Sequence, residues 1–232
     1  MGKKVLIKVK NLKRYYNSGN IIVKAIDGLN FEVEEGEFIA VIGPSGSGKT
    51  TMLRILGLID SPTKGEYFSQ GLNVANLPEN ERTYYRLTEL GYIFQDYALI
   101  NEMSALENVY MLSLMEGNSK KEAIETALDA LKKVGLEGKE NRVPNELSGG
   151  EKQRVAIARA ISKTPHILFA DEPCANLDTK TSEQVLDVLK NLNQKYGQTI
   201  IMVTHEEWHL KYASRIIELK DGLIKSDRKT RG

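Results

Sequence analysis

Eight residues from Gly43 to Thr50, GPSGSGKT, fit G-x-x-x-x-G-K-[ST], with Gly43, Gly48, Lys49 and Thr50 at the defining places. The chemistry that suits this composition is the binding of a polyphosphate. Gly43, Gly46 and Gly48 let the backbone turn tightly and bring successive N–H groups to phosphate oxygens, with Pro44, Ser45 and Ser47 completing the loop. Lys49 adds a point charge near the β- and γ-phosphates, and the Thr50 hydroxyl is placed to ligate a bridging Mg2+. A second chemical pair, Asp171-Glu172, closes the apolar run Ile167-Leu168-Phe169-Ala170 in a Walker B pattern. There Asp171 is expected to hold Mg2+ through its water shell, and Glu172 to orient and deprotonate the water that attacks the γ-phosphate. Standing alone, two carboxylates after a strand read as a solvated turn; the phosphate loop in the same chain favours the catalytic reading.

A third segment, Leu147-Ser148-Gly149-Gly150-Glu151, resembles the signature of ATP-binding subunits of the ABC transporter superfamily. Locally it reads as a capped helix start, because Ser148 is a good N-cap and Val155, Ile157, Ala158 and Ile161 supply an apolar face. The resemblance implies more: Ser148, Gly149 and Gly150 would grip the γ-phosphate of an ATP held by the opposite subunit, so two chains would sandwich two nucleotides as a homodimer. It also implies that Gln95, after Tyr92-Ile93-Phe94, is a Q-loop glutamine reaching Mg2+ and the attacking water. His205, after Ile200-Ile201-Met202-Val203-Thr204, resembles the switch histidine that steadies water near Glu172. Asp178, in Ala175-Asn176-Leu177-Asp178, resembles the D-loop aspartate that communicates across the dimer, and Tyr16, beside Tyr15, the aromatic that stacks on adenine.

The stretch from Gln95 to Val109 resembles the branch of lipoprotein-release, macrolide-export and antimicrobial-peptide-export ATPases, and the match spans nearly the whole chain. This implies integral-membrane partner subunits, an ATPase on the inner face of the cell membrane, and export or extraction of a substrate. Tyr97, Leu99, Ile100 and Met103 are candidates either for docking the membrane subunit or for core packing. Non-transport ATPases that pull on a membrane partner, and importers, share the same catalytic parts and stay open as alternatives. Soluble ABC proteins of DNA repair or translation generally carry a long coiled-coil insertion or two cassettes, and neither occurs here.

Composition agrees. Thirty-two basic and 31 acidic residues leave a net charge of +1, which gives no support to a nucleic-acid surface. No apolar run approaches the ~18 residues that cross a membrane, and the start, MGKKVLIKVK, lacks the apolar stretch of a secretory leader. Leu6 stands where N-myristoylation at Gly2 needs Ser or Thr. The single cysteine, Cys174, excludes an intramolecular disulfide framework; it reads as a core-edge residue with some expectation of thiol sensitivity.

These side chains need elements to position them. Phe38 to Ile42 reads as a buried parallel strand before the phosphate loop, and Thr51 to Leu56 as a helix whose N-terminus faces the anion. Ahead of them, Val5, Ile7 and Val9, then Ile21 to Ile26 and Phe31 to Val33, suggest an antiparallel β layer. Ile124, Ala127, Leu128, Leu131 and Val134 follow helical spacing. Buried strands return at 167–170 and 200–204, separated by a helix with Val185, Leu186, Leu189 and Leu192. Asp221-Gly222 reads as a hairpin turn, and 225–232 as a disordered polar tail. With the resemblance, these elements imply an α/β P-loop NTPase with a RecA-like core, an N-terminal antiparallel β layer and an inserted α-helical signature lobe. A single domain over 1–232 is expected, with 1–95 and 161–232 as layer and core and 96–160 as the lobe.

Overall fold

Successive residues of each apolar strand go into different cores. The computed structural model describes residues 4–19 and 21–230. In it the chain opens with β1 (Val5–Ser18) and β2 (Ile21–Glu34), two long antiparallel strands, followed by β3 (Phe38–Ile42) and helix α1 (Lys49–Leu56). After them come β4 (Lys64–Ser69), β5 (Leu72–Asn73), α2 (Glu79–Glu89) and β6 (Leu90–Ile93). Three helices follow, α3 (Ala105–Met115), α4 (Lys120–Lys133) and α5 (Gly149–Ile161). The chain then returns to β7 (Ile167–Asp171), α6 (Thr179–Tyr196), β8 (Thr199–Val203), β9 (Arg215–Lys220) and β10 (Leu223–Lys229).

The strands form an antiparallel sheet in the order β2-β1-β4-β5 and a six-stranded sheet in the order β10-β9-β3-β8-β7-β6. Within the latter, β9, β3, β8, β7 and β6 are mutually parallel and only β10 runs against its neighbour. Both faces of the parallel part are covered, which is why its strands are continuously apolar. Phe38, Ala40, Leu168, Ala170, Ile200 and Met202 pack with the apolar faces of α3 to α6. Their neighbours Ile39, Val41, Phe169, Ile201 and Val203 pack with α1 and the inner face of the antiparallel sheet. A parallel sheet covered in this way leaves the carboxyl ends of its strands as the open edge, where α/β proteins place ligands.

Three helices carry full capping boxes, from Ser104 with Glu107, Ser119 with Glu122, and Ser148 with Glu151. Each satisfies N–H groups that a helix start otherwise leaves open. The structure corrects the expected tail: Lys225 to Lys229 belong to β10, paired with β9. Arg215 joins Asp227 at 2.6 and 2.7 Å, and Lys225 reaches Glu218 at 2.7 Å, so the polar side chains bridge the ladder. Residues 231–232 lie outside those described. Helix α2 was not foreseen. Its sequence, ENERTYYRLTE, is too polar for an apolar stripe, and it is held instead by Arg82, which donates to the carbonyls of Leu58 and Asp60 at 2.9 Å each.

Candidate nucleotide site

The phosphate loop joins β3 to α1, and two of its glycines are required by close approach. At Gly43 (φ 148°) an added Cβ would lie 2.2 Å from the Leu219 carbonyl oxygen, and at Gly48 (φ 99°) 2.3 Å from that of Ala25. No L side chain fits such space or such backbone angles. Gly48 is also the residue before α1, so the helix starts with no side-chain cap. Its first-turn N–H groups are therefore available to an anion. Ser47 adds a buried hydroxyl that has no protein partner. Lys49 is 8% exposed and donates to the carbonyl oxygens of Gly43 (2.9 Å) and Pro44 (3.0 Å), so its cation is held inside the curve of the loop.

A cavity of about 610 Å³ opens over this loop. Of the sequence-predicted residues, Tyr16, Gly43, Ser45, Gly46, Gly48, Lys49, Thr50, Thr51, Glu172 and His205 line it. Pro44 and Ser47 complete the loop beside it, and Asp171 stands at its edge, accepting a hydrogen bond from the Thr50 hydroxyl at 3.2 Å. Val23, Lys24 and Ala25 of β2 also line the cavity and were missed in the sequence, where nothing but strand pairing brings them near. Strand alternation sends the adjacent tyrosines to different places. Tyr16 lines the cavity, whereas the Tyr15 hydroxyl bonds Asp27.

The acidic edge comes from the ends of β7 and β8. Asp171 also accepts a bond from the Tyr92 hydroxyl at 3.3 Å, and burial raises its pKa above the ordinary Asp value. Glu172 leaves the strand with φ 46°, a left-handed conformation unusual for a residue with a side chain. Its Oε2 is 3.3 Å from His205 Nδ1, whose ring reaches Glu206 with Nε2 at 3.3 Å. Behind Glu172 a cavity of about 140 Å³ is lined in part by Cys174 and His209. Cys174 is 7% exposed and burial pushes its thiol up to about 11, which opposes the expected thiol sensitivity.

The remaining predicted residues are not in the cavity. Ser148 starts α5 as its N-cap, its Oγ accepting from the Glu151 N–H at 3.3 Å while Glu151 Oε2 accepts from the Ser148 N–H at 2.9 Å. That second bond lowers the Glu151 pKa, assisted by Lys139 at 3.3 Å. Asp178 caps α6 by accepting from the Thr181 hydroxyl (2.6 Å) and N–H (3.0 Å), and the hydroxyl bond holds its pKa below the ordinary value. Gly149 and Gly150 follow Ser148 in the first turn of α5, and a Cβ on Gly150 would meet Thr181 Cγ2 at 2.3 Å. Gln95 is exposed beyond β6, with its carbonyl oxygen 3.5 Å from Asn176 Nδ2. The turn after it is left-handed at both Tyr97 (φ 63°) and Ala98 (φ 48°), and Arg159 of α5 donates to both carbonyls at 2.9 and 2.5 Å. Sequence reasoning gave no signal for that arginine.

Residues 26–175 match the family model described as ABC transporter. The chain belongs to the ABC transporter family. It is an ATP-binding, ATP-hydrolysing subunit of such a transporter, built as a nucleotide-binding cassette. The cassette is 47% identical over 219 residues to an uncharacterized ABC transporter ATP-binding protein of Methanocaldococcus jannaschii, covering 94% of this chain and 97% of that one. It is 44% identical over 227 residues to the macrolide export ATP-binding/permease protein MacB of Chlorobium luteolum, covering 97% of this chain but 33% of that protein. Among solved structures it resembles a dimeric ATP-binding cassette in a post-hydrolysis state bound to ADP and Pi. That likeness has a TM-score of 0.90 at 41% identity and covers 98% of this chain and all of that one.

Proposed function

We propose that two copies of this chain clamp two Mg-ATP between the phosphate loop of one and the signature segment of the other, and that this closure drives an integral-membrane partner. One observation carries the reading: the loop, Glu172 and His205 share a cavity, while Ser148 and Asp178 are exposed at helix starts outside it. A signature that lies outside its own nucleotide pocket is complete, in this reading, only with a second copy. The dimeric state of the solved relative supports this.

In this reading Lys49 and the loop N–H groups hold the β- and γ-phosphates, Tyr16 stacks on the base, and Ser148, Gly149 and Gly150 meet the partner's γ-phosphate, with Glu151 keeping the helix start in place. Hard oxygen donors suit Mg2+, and Thr50 Oγ1 and Asp171 Oδ1, 3.2 Å apart, fit that chemistry, with Gln95 as a third donor from the partly exposed turn. The ion supplies charge neutralisation at the phosphates. Glu172 takes a proton from water, His205 holds the carboxylate and the water in line, and Asp178 carries the state of one site to the other. The chain acts as a single ABC ATPase domain, 96–160 forming the signature lobe and 1–95 with 161–232 the layer and core.

No helix among the described residues is long and apolar enough to cross a membrane. Membership of the ABC transporter family supports work at the cytoplasmic face with an integral-membrane partner, and the likeness to MacB supports export or extraction as the direction. A groove of about 290 Å³ beside β6, walled by α3 and α5, is the docking surface; it is mostly apolar, with Tyr92, Phe94, Met111 and Leu112 in its wall and Arg86, Arg159 and Lys163 among them. None of Tyr97, Leu99, Ile100 or Met103 lines it, and Leu99 packs against the buried core.

The test is the Glu172→Gln chain with Mg-ATP. Hydrolysis falls at least ~10²-fold because the base is gone, while nucleotide affinity remains and sedimentation detects a dimer. Near-normal turnover, or a chain that stays monomeric with ATP bound, would falsify the reading.

A further inference from the structure

Arg14 and Tyr16 lie two apart on β1, on the same side of the strand, where the pairing with β2 slips between Arg14 and Tyr15. The Arg14 guanidinium carbon sits 4.5 Å from the centre of the Tyr16 ring. Both side chains end on one carboxylate: Arg14 reaches Asp60 Oδ1 at 2.7 Å, and the Tyr16 hydroxyl donates to Asp60 Oδ2 at 2.8 Å. Asp60 is itself fixed, since its Oδ1 accepts from the Ser61 N–H at 2.8 Å and its carbonyl accepts from Arg82 at 2.9 Å. Tyr16 lines the nucleotide cavity and Arg14 does not.

We infer that Arg14 and Asp60 are positioning residues for nucleotide binding: the cation backs one face of the Tyr16 ring, the carboxylate tethers its hydroxyl, and the other face is left as a fixed platform for an aromatic base. The inference rests on the reading of Tyr16 as the base-stacking residue. A tyrosine that is 37% exposed would otherwise lose side-chain freedom when a base lands on it, and that loss subtracts from affinity. Here the ring plane is set beforehand at two points. The guanidinium also draws π-electron density toward itself, which reduces the repulsion between the free face and an electron-rich purine. Helix α1 links this to the phosphate site. It begins at Lys49 and ends four residues before Asp60, so about 12 Å of rigid helix fixes the distance between the holder of the phosphates and the holder of the base platform.

The experiment compares ADP with inorganic pyrophosphate by titration calorimetry. Both engage the phosphate loop, neither is hydrolysed, and only ADP carries a base. Arg14→Leu and Asp60→Asn each weaken ADP about three- to tenfold and leave pyrophosphate unchanged. In a Tyr16→Ala chain, which itself binds ADP more weakly, Arg14→Leu has no further effect, because it acts through that ring. If Tyr16→Ala weakens ADP but neither Arg14→Leu nor Asp60→Asn does, the positioning inference fails and the base platform stands. If Tyr16→Ala leaves ADP unaffected, the platform reading itself fails. Equal losses for ADP and pyrophosphate in Arg14→Leu and Asp60→Asn would mean damage to the loop and overturn the inference. Should Arg14→Leu not fold, Asp60→Asn makes the same comparison with no change of side-chain volume.

Discussion

The Thr50 hydroxyl donates to Asp171 Oδ1 at 3.2 Å although 121 residues separate them, joining the first turn of α1 to the end of β7. Burial raises the Asp171 pKa, so the fold holds this proton more tightly than the unfolded chain does. Metal-free protein therefore loses stability as pH rises from the ordinary Asp value through the raised one, and remains at the lower level above it. Asp171→Asn removes a half-buried charge. The metal-free variant should melt higher than the parent at pH 7, lose this part of the pH dependence, and lose Mg2+-dependent hydrolysis by ~10²-fold or more. Melting curves across pH, with and without Mg-ATP, check all three; an unchanged midpoint with normal turnover would contradict the assignment.

Lys49 is the only loop side chain whose charge is held by two loop carbonyls, those of Gly43 and Pro44. Lys49→Ala removes both bonds along with the proposed phosphate contact. ATP affinity should fall at least ~10-fold, the scale of one charged hydrogen bond, with little change in far-UV circular dichroism. Equal affinity for the two chains would remove Lys49 from the site.

Gly150 sits where an added Cβ would lie 2.3 Å from Thr181 Cγ2, and Thr181 is held in place by Asp178. Gly150→Ala should destabilise the chain by about 1–3 kcal/mol through overpacking. Adding Thr181→Ser deletes that methyl and keeps the hydroxyl, so the double variant should recover most of the loss. Denaturant midpoints of the two single variants and the pair test this; no recovery would place the strain elsewhere.

Met111 and Leu99 separate docking from packing. Met111 is in the groove wall, so Met111→Glu should keep basal hydrolysis and fail to capture the membrane partner from detergent extracts. Leu99 packs against the core, so Leu99→Glu should lose folding and hydrolysis together. The reverse pattern would return the docking surface to the turn after Gln95.

The chemistry was legible wherever it is contiguous. The phosphate loop, the carboxylate pair and the signature are each a single run of residues, and each needs only the strand or helix beside it, whose apolar pattern is also local. Tyr16 was chosen over its neighbour Tyr15 by resemblance alone, because which face of β1 points to the cavity is not written in the local sequence. Arg14 with Asp60, and Arg159 with the Tyr97 and Ala98 carbonyls, were not legible at all, since those contacts span 46, 62 and 61 residues respectively (60 − 14, 159 − 97, 159 − 98) and exist only after folding. Helix α2 and the end of β10 were missed for a related reason: tertiary hydrogen bonds and ion pairs stabilise them, not an apolar stripe.

Glu172 occupies its place at φ 46°, a conformation glycine adopts freely and glutamate does not. A glycine there would relax the main chain while deleting the proposed base. On the proposed role, the substitution that eases the main chain at this bend is also the one that silences the cassette. A library sorted by heat resistance alone would therefore favour inactive chains wherever that relief outweighs the lost His205 contact.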